Sequence, residues 1–564
     1  MSLMSGLFVG ATGLQTSQNS LHTTAHNLSN IETPGYVRQQ TLHAEMSYNT
    51  ISTSPAVSKM QIGLGVEYDI VRQVRDEFLD KSYRRETGRS SFYDICKETT
   101  DEIETLLGEF DGVAFQESIE DLWTSVQELQ KDPSSAVTKG TFVSTAAQFL
   151  ERAQAVYNGL SDYQDNLNSR IKKYVDQIND LGDRIFALND AIHTEELGEQ
   201  EANDLKDERN KAIDELSSLA NISYFTNADG AIEVLVEGVS LVARDRTFHM
   251  DVAVDEGTGF YTPIWPQNMN AEVFQRNEEI STSLNSDIGQ LKSIVLARGD
   301  RRANYTDMEY ETYVNGKYDF YNPDKPGTAP NDSADLIPTS KSIVMKVQAE
   351  LDNMVHSLMT EVNNILTGEK EIIDGGGQPS YAAGEELPKE LFVRLGTERY
   401  KDDGLGNRVY VPEDEYPTHA DIDKLYTIAN MKINPDLLKT PSLLGNSFVT
   451  EDKQVDQPKA DALAEAFRTP FSSLNPTLTQ KYDYRDYYSA IVGDVATEGS
   501  VYSSIVTAQQ VAVHQLSDSR DAVMGVSSNE ELTNMIKYQN AYNAASRYIT
   551  ACNDMLENLL SNLA

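Results

Sequence analysis

A mainly α-helical chain with β-containing inserts is predicted by three features of the sequence. Heptad-spaced apolar residues occupy both ends, a longer heptad seam runs through residues 143–192, and a period of two takes over from Asn221. Weak terminal helices around a large body suit assembly better than a reaction. At 564 residues the chain is too long for one core. The expected division is a terminal coiled-coil polymerisation part (1–50 with 525–564), a helical rod (51–220 with 485–524) and outer β-rich or mixed parts (221–484).

Residues 3–30 read as one amphipathic helix. Leu7, Leu14, Leu21 and Leu28 recur every seven residues, the spacing that keeps an apolar stripe facing a partner helix. Beside them Gly6, Gly10, Gly13, Ser17, Ser20 and Thr24 form a row of small residues at 3/4 spacing. Small residues admit another backbone closely, but each interior glycine costs about 1 kcal/mol relative to alanine. The helix is therefore expected to order only when neighbours pack on it. Pro34-Gly35 ends it. Residues 51–75 alternate around Gly63 and Gly65 and read as extended. A helix follows from about Asp76 to Leu107, then a shorter one with Phe115, Ile119, Leu122, Val126 and Leu129 before Pro133.

The longest seam comes next. Val143, Leu150, Tyr157, Gln164, Ile171, Ile178, Ile185 and Ile192 form one set of heptad positions. Ala146, Ala153, Leu160, Leu167, Tyr174, Leu181 and Leu188 form the other, and Gln164 is the one polar member apart from the tyrosine hydroxyls. A rod of roughly 75 Å is expected at 1.5 Å per residue. A turn near Gly198 leads to a helix with Leu205, Ala212, Leu216 and Leu219, expected to fold back along the rod.

From Asn221 the pattern is β. Ile222, Tyr224, Ile232, Val234 and Val236 flank Asn227-Ala228-Asp229-Gly230, a hairpin turn. Alternation continues through 247–254. Residues 300–340 read as irregular surface, helical spacing returns briefly at 341–367, and residues 370–480 are rich in turn residues. The last helical stretches are 501–523 and, after Gly525 and the capping box Ser528-x-x-Glu531, the final helix. In it Met535, Tyr542, Ile549, Leu556 and Leu563 recur every seven residues, interleaved with Tyr538, Ala545, Cys552 and Leu559.

The net charge of -41 argues against nucleic acid, which needs a basic face to displace counterions. It argues equally against anionic membrane surfaces, and no apolar run is long enough to insert in a bilayer. The first Lys or Arg is Arg38, so no secretory signal of the cleavable kind is expected. Cys96 and Cys552 form no CxxC pair, and no structural disulfide is expected. His22 and His26 stand i, i+4, but with Gln15, Asn19 and Asn30 around them they read as a polar face rather than a metal pair. Ser169 and Lys172 match Ser-x-x-Lys inside the long seam by chance. Neither enzymatic chemistry nor a cofactor is expected.

Residues 25–40, Ala-His-Asn-Leu-Ser-Asn-Ile-Glu-Thr-Pro-Gly-Tyr-Val-Arg-Gln-Gln, resemble the N-terminal signature of bacterial flagellar rod, hook and hook-associated proteins. Its core here is Asn27, Asn30, Thr33, Pro34, Gly35, Tyr36 and Arg38, and the residues after Tyr36 point to the hook-associated branch. Further stretches agree: Ile62 to Val66 with Phe78-Leu79, Asp132-Pro133-Ser134, Gln177 to Leu181, and Leu205 to Ser217 with Asp207-Glu208-Arg209. At the far end Gly525-Val526-Ser527 and Tyr538-Gln539-x-Ala541-Tyr542 resemble the shared C-terminal signature. Residues 300–340 and 370–485 carry no recognised motif of that family, so their fold and any extra role are left open by the resemblance.

The resemblance implies a structural subunit of the flagellum, secreted through the flagellar type III export channel and polymerising at the hook–filament junction. It implies four partners: other copies of itself, the hook protein, a second junction protein adjoining the filament, and an export chaperone. Assembly would run through Leu7, Leu14, Leu21 and Leu28 at one end. At the other it would use Met535, Tyr538, Tyr542, Ala545, Ile549, Leu556, Leu559 and Leu563, which the chaperone would cover first. Another rod or hook subunit is the alternative, disfavoured by the long seam. A rival of a different class is an adhesin or secreted enzyme carried in residues 300–485.

Overall fold

The computed structural model describes residues 3–46, 49–52, 60–108, 115–198, 201–276, 278–308, 310–314, 317–321, 337–382, 384–413, 424–448, 455–475 and 478–563. The helices are α1 (Leu3–Ser29), α2 (Glu77–Gly108), α3 (Phe115–Lys131), α4 (Ala136–Glu196), α5 (Asn203–Leu219), α6 (Gln290–Arg298), α7 (Ile343–Thr367), α8 (Lys370–Asp374), α9 (Pro435–Lys439), α10 (Gln457–Ala466), α11 (Tyr484–Met524) and α12 (Ser528–Leu563). The first strands are β1 (Gln39–Glu45), β2 (Asn49–Ser52), β3 (Met60–Ile62), β4 (Val66–Gln73), β5 (Ile222–Thr226), β6 (Ile232–Val236) and β7 (Val239–Val242). Then come β8 (Asp251–Val254), β9 (Tyr261–Trp265), β10 (Ala271–Glu272), β11 (Tyr310–Val314), β12 (Lys317–Tyr321), β13 (Ser380–Tyr381), β14 (Phe392–Arg394), β15 (Tyr400–Asp402), β16 (Arg408–Tyr410) and β17 (Met431–Ile433). Long helices with small antiparallel sheets make this the mainly α architecture with β inserts that the periodicities predict.

The chain divides into two compact units, one of Met1–Ser90, Gln177–His249 and Ala508–Ala564, the other of Ser91–Asp176 and Met250–Thr507. The boundaries fall within α2, α4 and α11, a different partition from the three-part expectation.

In the first unit β1 pairs with β4, with an irregularity between Thr41 and His43. The C-terminal part of α4 packs with α5, which folds back as expected: Arg184 meets Glu208 at 2.9 Å. Nearby, Arg209 donates to the Asn189 amide oxygen at 2.8 Å. Asn189 also exchanges hydrogen bonds with both backbone groups of Ile232, fastening the β5–β6–β7 sheet. The β5–β6 turn falls on Asn227–Gly230, where Gly230 adopts φ +82°. That left-handed conformation favours glycine.

In the second unit all five apolar residues expected on α3 are buried. Phe115 stacks on Phe149 of α4 at 5.2 Å and meets Tyr488 of α11 edge-on at 4.9 Å. The seam residues of α4 are buried across both units except Tyr174 and Leu181, which are half-buried. Gln164 is its polar insertion, and tertiary structure accounts for it. Its amide donates to the carbonyls of Arg298 (2.8 Å) and Arg301 (3.1 Å) and accepts from Gln348 at 3.0 Å. A buried amide costs free energy unless so partnered.

Three expectations need correction here. The helix expected at 341–367 is present as α7, but its apolar residues are buried within the second unit and do not belong to outer chain. Its polar side, with Lys346, Asn353, Ser357, Thr360 and Asn364, is half-buried, and the opposite apolar side is fully buried, which is the amphipathic period of a helix facing a core. Tyr310–Val314 and Lys317–Tyr321 pair as the antiparallel strands β11 and β12, in place of the irregular chain expected from the sequence. Finally, α11 begins at Tyr484 instead of near Val501. Asp483 caps it, accepting the N–H groups of Arg485 and Asp486. Tyr484, Tyr487, Tyr488, Ile491 and Val495 then bury a face of its N-terminal half.

Candidate assembly site at the chain termini

Within the first unit α1 lies along α12, and the seam between them is the small-residue row. A Cβ on Gly10 would stand 2.6 Å from Ile549 Cγ1 and 3.2 Å from Tyr548 Cδ1. One on Gly6 would stand 3.2 Å from Cys552 Sγ, and one on Gly13 would lie 3.8 Å from the Ala545 Cβ. The row continues through Ser17, Ser20, Thr24 and Asn27, all buried. The first two hydroxyls donate to carbonyls one turn back, Ser17 to Gly13 at 2.7 Å and Ser20 to Thr16 at 2.9 Å. Polar groups satisfied by their own helix can be buried at small cost.

Leu7, Leu14, Leu21 and Leu28 flank this row and are only half-buried. The heptad spacing expects them to face a partner helix in assembly. Within the chain the place against α12 goes to the glycines, because three helix turns of missing side chains let the α12 backbone approach where leucines would hold it off.

The mate helix is equally shallow. Met535, Tyr538, Tyr542, Ala545, Ile549 and Leu556 are half-buried and Leu559 is 46% exposed; the side chain of Leu563 lies outside the described set. Glu531 and Cys552 are the two buried residues among those described in α12. On the outward side Leu532, Ile536, Met555 and Leu560 are exposed, Ile536 at 61% and Met555 at 56%. Phe8 of α1 is exposed as well. Large apolar side chains are therefore left in solvent at both ends of α12 and near the start of α1.

The signature residues form a clasp at the end of α1. Thr33-Pro34-Gly35-Tyr36 is a tight turn closed by the Tyr36 N–H on the Thr33 carbonyl (3.2 Å), with Gly35 at φ +83°. Proline then glycine in the central positions is what a type II turn requires. The Asn27 amide stands at the centre. Its oxygen accepts from the Tyr36 hydroxyl (2.7 Å) and the Gln39 N–H (3.0 Å), while its nitrogen donates to the Gln39 carbonyl at 2.9 Å. His26 Nδ1 lies 3.0 Å from the same hydroxyl, so His26 is part of the clasp. The Asn30 side chain accepts from Thr33 Oγ1 at 3.1 Å.

The clasp is anchored on three sides. Asp207 of α5 accepts the Val37 N–H at 3.1 Å and Gln73 Nε2 at 2.7 Å. Arg38 donates its N–H to the Met524 carbonyl at 2.8 Å and pairs with Glu530 at 2.6 Å. Beside the turn is a cavity of about 250 Å³ walled by Tyr36, Arg75, Tyr83, Asp207, Arg520 and Met524. Behind it Arg520 bridges Asp80 and Asp214, at 2.9 and 3.0 Å, and its guanidinium covers the Tyr83 ring at 4.3 Å. Burial, aided by Asp204, pushes the Asp207 carboxyl up to about 7 against the opposing pull of the Val37 N–H and Arg75. Burial and the neighbouring acids also raise the Tyr36 hydroxyl. The carboxylate that receives the clasp therefore changes charge near neutrality.

Sequence spacing alone did not bring Asp207, Arg520 or Met524 to this site. Asp207 carried a family motif, but Arg520 and Met524 lie in an ordinary stretch of α11 and carry no local signal.

Residues 100–375 match the family model of the flagellar hook-associated protein FlgK helical domain. Residues 522–563 match that of the flagellar basal body rod FlgEFG protein C-terminal region. Flagellar hook-associated protein 1 of Bacillus subtilis (strain 168) is 23% identical over 564 residues, covering 100% of this chain and 99% of the relative. The protein of that name from Salmonella typhimurium is 23% identical over 585 residues, covering 98% of each. The one from Escherichia coli (strain K12) is 21% identical over 580 residues, covering 99% of this chain and 100% of the relative. A solved structure of the flagellar hook junction protein FlgK from Burkholderia pseudomallei aligns with TM-score 0.48 at 12% identity, covering 79% of this chain and 100% of that one.

Proposed function

This chain belongs to the flagellar hook-associated protein 1 family, and from that premise we propose that it polymerises through its terminal helices where the hook meets the filament. It is a structural component of the flagellum. In our reading it leaves the cell by the flagellar type III route, assembles at the hook tip, and there contacts the hook protein on one side and a second junction protein on the other. A dedicated export chaperone occupies α12 before secretion. It takes the face later buried between copies, so the two complexes exclude each other.

The observation that carries this reading is the set of exposed and half-buried apolar side chains left on α1 and α12 when they pair. The glycine seam uses up the small residues and leaves Ile536, Met555 and the half-buried leucines for another copy. Burying one such side chain contributes roughly 1.5–3 kcal/mol, so a repeated array gains much where one chain gains nothing.

The test uses Ile536→Asp with Met555→Asp. Both side chains are already exposed, so the isolated chain should melt as the parent does. Incorporation at the hook tip should be lost. A doubly substituted chain that still joins hook to filament would remove the basis for this reading.

A further inference from the structure

Each copy of this chain carries a net charge of -41, so copies that pack side by side must meet where charge is absent. Its two longest stretches without Asp, Glu, Lys or Arg are residues 1–31 and 499–517. The first holds α1 and the second lies in the middle of α11.

Each of these helices turns an uncharged heptad stripe to solvent. On α1 the stripe starts at Phe8, 51% exposed, and continues through Ala11, Gln15, Gln18, His22, Ala25 and Ser29. It stands two positions from the buried row of Gly10, Ser17 and Thr24, about 200° around the helix. Helix α1 therefore keeps α12 on one side and presents the stripe on the other. On α11 Val501, Ser504, Ala508, Val511 and Gln515 are exposed at the same 3/4 spacing, both valines at 52%.

Both stripes can leave water cheaply. The Ser504 hydroxyl donates to the Ser500 carbonyl and the Ser29 hydroxyl to the Ala25 carbonyl, each at 2.9 Å, so neither needs a new partner on burial. Glutamine amides carry donor and acceptor alike and can pair across a contact without charge. Helix α12, by contrast, exposes Lys537, Arg547 and Asp554.

We propose that the exposed stripe of α11 is a second self-association surface, and that the exposed stripe of α1 from a neighbouring copy packs along it. The pairing rests on the assembly reading and deepens it by naming the mate of α1. Phe8 to Ser29 spans about 31 Å and Val501 to Gln515 about 21 Å at 1.5 Å per residue, so the longer stripe covers the shorter from end to end. Within one chain both stripes face solvent, and the contact forms only between copies. It is head-to-tail, because each copy offers α1 to one neighbour and α11 to another, and a contact of that kind builds rings or filaments.

Disulfide trapping in intact flagella tests the pairing. Three chains carry Val511→Cys together with Gln15→Cys, Gln18→Cys or His22→Cys. The single-cysteine chains and the parent are the blanks, since Cys96 and Cys552 are buried. After oxidation at least one double-cysteine chain should run as a ladder beyond the dimer on a non-reducing gel, and the blanks should stay monomeric. No ladder from any of the three, once they are built into the flagellum, would overturn the pairing and leave the assembly reading standing. Dimers from Val511→Cys alone would overturn it as well, because α11 would then pair with itself. Val511→Glu is the second measurement, and it decides where a cysteine chain fails to incorporate. Val511 is half in solvent, so the isolated variant should melt as the parent does, yet its incorporation at the hook tip should be lost. Incorporation at the parent level would overturn the surface. Failure of the assembly reading itself shows elsewhere, in an Ile536→Asp, Met555→Asp chain that still joins hook to filament.

Discussion

Helix α7 buries most of its side chains and takes several polar residues inside with them, whereas α12 keeps two residues buried among all those described. The polar residues of α7 act as fasteners. Asp352 accepts the N–H groups of Ile428 (2.7 Å) and Tyr305 (2.9 Å), and the Asn363 oxygen accepts those of Leu391 and Phe392, both at 3.0 Å. Beside them Arg399 is enclosed with Glu369 at 2.7 Å and Glu390 at 3.2 Å. The hydroxyls of Tyr400 and Tyr426 donate to those two carboxylates. One region is committed to a single arrangement by satisfied buried groups; the other relies on shallow contact that a second partner can replace. The difference assigns permanence to the body and exchange to the ends.

The largest expected effect comes from deleting residues 300–485. The sequence alone suggested outer chain that could be spared, but the deletion removes α7 and with it the centre of the second unit. The second unit should then fail to fold, seen as loss of cooperative melting and of near-ultraviolet signal. Removal of residues 525–564 should leave that unit intact. A 300–485 deletion that still melts cooperatively would erase the contrast.

Next in size is Arg399→Ala, which strands two buried carboxylates. Breaking a buried ion pair from one side costs about 3–5 kcal/mol, read as a shift in the urea midpoint of the second unit. A shift below about 1 kcal/mol, the range of an exposed pair, would mean that water reaches the cluster.

In the first unit a buried carboxyl makes stability depend on pH. The folded state prefers the neutral Asp207 carboxyl, which burial raises from 3.8 to about 7. Its stabilising contribution is complete below the unfolded value and is lost as pH rises through about 7. Urea melts between pH 4.5 and 8 should show the parent losing more stability with rising pH than Asp207→Asn. Parallel pH profiles would show that the carboxyl is ionised throughout.

The smallest effects come from two glycines on one stripe. Gly10→Ala forces a Cβ against Ile549 and should cost about 1–3 kcal/mol as overpacking. Gly13→Ala meets Ala545 at ordinary contact distance and should stabilise α1 by about 0.5–1 kcal/mol. Chemical melts of the two variants should move in opposite directions; movement in the same direction would mean that the seam is not packed on this row.

Local periodicity was enough to determine the fold class, the five-residue face of α3, most of the α4 seam and the Asn227–Gly230 turn. Each depends on the chain's own spacing, which a helix or hairpin converts directly into a buried face. At Leu7, Leu14, Leu21 and Leu28 the spacing marks a stripe without saying which neighbouring stripe the helix of the same chain will take. Tertiary structure chose the glycine row, because close approach of α12 gains more contact there than leucines propped apart would allow. It also decided the roles of Gln164, Asp207, Arg520 and α7. A buried amide, a shared carboxylate or the depth at which a helix is buried is defined by partners distant in sequence, and no local pattern records them.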